Sequence, residues 1–172
     1  MQSSLLVEYM RTGAISPLKR TDTKRGVEAK LGAPLDWKGR EGGIGWTGPL
    51  LTDFHDSWAW HYGSLCVGFH LSGWKYWTPG IRLDYSINEP IIFPPPFEEL
   101  PQQCFTLGEL IELLRVHDIA FEDNRTDRAQ KPGIFEKPVI GSEGGVAVAT
   151  LHCNDSSNAE VIRLYPYKYP CS

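Results

Sequence analysis

The densest set of reactive side chains is Asp53-Phe54-His55-Asp56, followed by His61 and His70. Carboxylates beside imidazoles can hold a transition metal or pass protons near neutral pH. In an extended chain Asp53 and His55 share one side, and His61 reaches them only where the chain turns back. The spacing fixes no site, because neither HExxH nor a paired-histidine motif is present. The same residues serve equally as a hydrogen-bonded loop before a strand. That reading leads, and a small metal-dependent or acid-base enzyme built on the Asp53-His61 region is the alternative.

Cysteine chemistry is no better supported. Cys66 and His70 fall on one face of a strand, but four residues of rise separate them by roughly 13 Å, too far for direct proton transfer. His152 and Cys153 point to opposite faces of a strand. There is no GxSxG elbow, phosphate-cradling loop or dinucleotide fingerprint, and Gly42-Gly43-Ile44-Gly45 is a turn-rich stretch without the required context. No catalytic residue, metal ligand or cofactor is therefore expected. Cys66, Cys104, Cys153 and Cys171 lack CxxC spacing and read as reduced core thiols.

The elements that would carry these residues form an echo. Thr23 to Tyr85 and Thr106 to Tyr165 each read as a short helix, a long loop and a two-stranded hairpin. Thr23 caps the first helix, which stops at Leu31-Gly32 before Pro34. Its hairpin pairs Ser64–Phe69 with Ile81–Tyr85, the return strand starting late or broken at Pro79-Gly80. Trp58, Trp60 and Tyr62 alternate as a further strand joined through Gly63-Ser64.

In the second unit Thr106-Leu107-Gly108-Glu109 is a capping box, and Leu107, Leu110, Ile111 and Leu114 recur at helical spacing. Its hairpin pairs Gly145–Cys153 with Ala159–Tyr165, the first strand being central or covered on both sides. Leu5, Leu6, Tyr9 and Met10 form one face of an additional helix over residues 4–12, ended by Gly13.

The fold class that follows is α+β, with short helices packed on a mainly antiparallel sheet and possible pseudo-repeated helix-hairpin units. A length of 172 residues suits a single domain over 1–172. Subunits over 14–89 and 102–167 would be joined by a connector containing Pro94-Pro95-Pro96.

Charge and aromatic residues constrain partners. Residues 1–40 hold eight Lys or Arg against four acids, whereas residues 84–123 hold nine acids against Arg115 alone. An acidic side repels phosphate and attracts a basic protein surface, which disfavours nucleic acid as a partner. All six tryptophans precede residue 78, and indoles suit cores and interfaces alike. Trp74, Tyr76 and Trp77 form one candidate partner-binding set, and Glu98, Glu99, Glu109 and Glu112 form the other. No apolar run reaches membrane-spanning length and the first residues do not read as a signal segment, so no membrane partner and a cytoplasmic location are expected. A structural or oligomerisation module is a third reading, and the oligomeric state is left open.

Thr23, Val27, Leu31, Gly32 and Pro34 form a T-x3-V-x3-L-G-x-P pattern. With Trp58 to Phe69 and Ile81 to Tyr85, this pattern over residues 18–85 resembles the opening of bacterial immunity proteins encoded beside polymorphic toxins. The resemblance implies a cytosolic inhibitor that occludes a cognate toxin, with a basic toxin domain as the partner, and it supplies no catalytic residue.

Overall fold

A computed structural model of the chain describes residues 3–38, 53–57, 59–72, 75–85, 90–123, 135–142, 144–151 and 160–166. The fold is α+β, with short helices against an antiparallel sheet. Helix α1 spans Ser4–Thr12, α2 Lys24–Leu31 and α3 Leu107–Val116. The strands are β1 (Asp36–Lys38), β2 (Ala59–Tyr62), β3 (Leu65–Ser72), β4 (Lys75–Asp84), β5 (Phe121–Asp123), β6 (Phe135–Ser142), β7 (Gly145–Leu151) and β8 (Val161–Pro166). A short 3-10 turn, Phe54–Asp56, precedes β2.

The helix ends follow from local chemistry. Ser3 and Thr23 cap α1 and α2 by accepting from Leu6 N and Gly26 N, satisfying amides that have no partner within the helix. Gly13 and Gly32 end these helices at φ 68 and φ 76, a region where a side chain is strained. In α3 the full capping box forms, with Glu109 N donating to Thr106 Oγ1 and Thr106 N donating to the Glu109 carboxylate.

The sheet order is β1-β2-β3-β4-β8-β7-β6-β5, antiparallel throughout. Each half of the chain is thus a helix followed by a four-stranded meander, rather than a helix followed by one hairpin. The last strands of the two halves, β4 and β8, lie side by side. Because that pairing is antiparallel, the order is the one a two-fold axis through the seam would generate. The strand β7 is central, between β6 and β8.

One expectation is corrected outright: β4 is neither late nor broken, but runs through Pro79-Gly80. Gly68 pairs with Gly80 and His70 with Trp77, so Thr78-Pro79 stand opposite Phe69 alone. Pro79, which has no N–H to donate, sits in the bulge where none is required. A second bulge follows Pro138 in β6.

One buried core takes side chains from α1, α2, α3, both meanders and the connector. Trp60, Tyr62, Leu65, Val67, Ile81, Leu83 and Leu164 point into it, while the partly exposed His61, Arg82, Asp84 and Arg163 alternate to the opposite face. There Asp84 accepts from Arg82 and Arg163, each at 2.8 Å, across a seam where, among the described residues, Leu83 pairs with Leu164 and Asp84 with Arg163.

Helix α1 fastens the two halves across that seam. Tyr9 Oη donates to Ile81 O of β4 at 2.7 Å, and Met10 O accepts from the Ser142 hydroxyl and Gly144 N of the second meander. Arg11 donates to His117 O beyond α3, and Ser4 to Glu99 of the connector. The connector in turn packs on the β2–β3 turn, where Ser64 N donates to Ile92 O at 2.7 Å. It also closes over Tyr85, whose ring meets Phe93 and Phe105 edge-on. Burial holds the Tyr85 hydroxyl in its protonated form.

Candidate functional site around His55

The structure draws Asp53 and His55 into a cluster with two residues of α2. His55 Nδ1 lies 2.8 Å from Asp53 Oδ1, and Nε2 lies 3.0 Å from Glu28 Oε2. Two carboxylates facing both nitrogens match the imidazolium, which carries a proton on each. The bond to Glu28, then that to Asp53, raises the His55 pKa above its ordinary value. The Asp53 pKa is lowered, first by its bond from the His55 amide and then by the ring.

The turn is fixed from beneath by Lys24. Its ammonium donates to His55 O and to Ser57 O, the latter at 2.7 Å, and lies 5.5 Å from the Phe69 ring centre and 6.0 Å from that of Trp60. Lys24 is 9% exposed, so these carbonyls and ring faces replace the water an ammonium would otherwise keep. Phe54 O accepts from Trp60 Nε1 at 2.8 Å, from the Ser57 amide at 3.0 Å and from the Ser57 hydroxyl at 2.6 Å. The Phe54 ring stacks on His55 with centres 4.0 Å apart and meets Trp60 at 5.1 Å and Trp37 at 6.0 Å.

This arrangement holds a turn onto a helix. In the imidazolium form both ring nitrogens are engaged, Nδ1 with Asp53 and Nε2 with Glu28. His61 is not part of the cluster. The register sets it opposite Cys66 instead, with Nε2 3.9 Å from Sγ. His70 lies in β3, and the side chains of His70 and Asp56 are outside the described residues. Among the described residues, no three His, Cys, Asp or Glu side chains converge as a metal-binding group.

Sequence reasoning missed Glu28 and Lys24, which approach the turn across about thirty residues of chain. One signal was available. A lysine at the first position of a helix opposes the macrodipole, and so points to a use elsewhere.

The two candidate partner sets fare differently. Trp74 lies outside the described residues. Tyr76 and Trp77 are in β4 opposite Leu71 and His70, with their side chains outside the description. Glu98, Glu99, Glu109 and Glu112 are all exposed, the first two on the connector and the others on α3. Glu99 accepts from the Ser4 hydroxyl and Glu109 completes the capping box. No described helix is long and apolar enough to cross a membrane. Compared with known protein families, curated proteins and solved structures, the chain matches none.

Proposed function

We propose that this chain is a non-enzymatic protein-binding domain that occludes a basic partner. The resemblance to bacterial immunity proteins would make that partner a toxin met in the cytoplasm. The observation carrying this reading is the exposure of Glu98, Glu99, Glu109 and Glu112 on the connector and α3, within a stretch nearly devoid of positive charge. Carboxylates in such a field speed encounter with a basic surface, and aromatic side chains supply buried contact area at an interface. Trp74, Tyr76 and Trp77 are the proposed aromatic contribution.

Glu98 and Glu112 make the sharper test, because Glu99 and Glu109 also hold the fold. Affinity capture from the native cell is expected to retain a basic protein on the wild-type chain. The double variant Glu98→Lys/Glu112→Lys is expected to weaken that binding at least about tenfold at low salt, with the difference shrinking as salt rises. Equal capture by the variant, folded by circular dichroism, would remove the acidic surface from the account.

A further inference from the structure

We propose that His55 is a proton-operated latch: its imidazolium bridges Asp53 and Glu28 and so adds a pH-dependent tie between the 53–57 turn and α2 beside the Lys24 bonds, and loss of one ring proton loosens the turn. The turn leads directly into β2, so the latch gives the entry to that strand a pH-dependent anchor.

The geometry dictates the direction of switching. A doubly protonated ring donates to both carboxylates, whereas a neutral ring has one N–H and turns a lone pair toward the other carboxylate. Asp53 belongs to the turn itself, since its Oδ1 also accepts from His55 N at 2.9 Å. The ring contact that spans two elements is the one to Glu28 of α2, and the tautomer keeping Nδ1–H would surrender it while the Lys24 bonds to the turn persist.

Among the described residues, no other group faces the ring to replace either carboxylate. From α2 the facing charged groups are Glu28 and Lys24, and Lys24 contacts the His55 carbonyl rather than the ring. From the turn come Asp53 and the stacked Phe54 ring, and from β2 the Trp60 ring at 6.0 Å. The side chain of His55 is 44% exposed, so its protons exchange directly with solvent.

The raised pKa of His55 agrees with this direction. Its contribution is complete below the ordinary imidazole value of about 6.5 and is lost as pH rises through the higher folded value. Asp53, with a lowered pKa, contributes above its ordinary range and loses that contribution only in acid. The latch is therefore closed below the ordinary imidazole range and opens as pH rises through the higher folded value.

The test is amide hydrogen exchange of residues 53–57 in the full chain, corrected for the intrinsic pH dependence, between pH 6 and pH 9. Wild-type protection is expected to fall by about tenfold for each unit by which the folded midpoint exceeds the ordinary value. His55→Gln should abolish the step, and Glu28→Gln should keep the ring while moving the midpoint down. A wild-type profile without a step, the same step in His55→Gln, or an unmoved midpoint in Glu28→Gln would overturn the latch.

Discussion

Replacing Gly144 by alanine is expected to cost about 3 kcal/mol of stability, the upper end of ordinary overpacking. A Cβ there would lie 2.3 Å from Thr12 N, 2.4 Å from Gly13 N and 2.5 Å from the Arg11 carbonyl carbon. All three are backbone atoms of the α1 terminus, so no rotamer change relieves the clash and the helix itself must move. Moving it weakens the bonds from Gly144 N and Ser142 to Met10 O, which tie α1 to the second meander. Gly32→Ala is the control, since nothing lies within 4 Å of its Cβ position and only the strain at φ +76 remains. Urea unfolding should show a much lower midpoint for the Gly144 variant than for the Gly32 variant. Equal midpoints would mean that α1 is not locked against the β6–β7 turn.

The second large effect is expected at Trp60. Its side chain is fully buried between Phe54 and Phe69 and beneath the Lys24 ammonium. Trp60→Ala removes the largest fully buried ring among the described residues and should destabilise by about 3–5 kcal/mol. The loss exceeds the missing area, because Lys24 forfeits an aromatic face that compensates its burial. Trp60→Phe retains a ring and should cost clearly less. A loss below about 1 kcal/mol for alanine in the same urea measurement would contradict this packing.

Much of the fold was legible because its signals are local. The Thr23 cap with Gly32, the Thr106 capping box and the Gly63-Ser64 turn each lie within a few residues, and each forms as expected. The alternation of Leu65, Val67 and Phe69 likewise set the buried face of β3. What escaped was β1, β5 and β6. The first two are three-residue edge strands too short to show alternation. The third carries Pro138 beside a bulge, and a proline inside a run argues against a strand.

The site was legible only in part, for a related reason. Asp53 and His55 are two residues apart, and their mutual contact follows from the turn they cap. Their partners on α2 are set by packing of the helix over Trp60 and Phe69, which no local spacing encodes. The Cys66–His61 contact arises in the same way, from the register of β2 on β3 rather than from the Cys66–His70 interval.

If the chain acts by occupying a partner rather than by turning over a substrate, titrating the captured partner's own activity with the chain will show it. Activity is expected to fall linearly to zero at one chain per partner molecule, without dependence on incubation time once bound, and to return on dissociation in high salt. Progressive loss at substoichiometric chain, with chemical change in the partner or its substrate, would identify an enzyme and contradict the account.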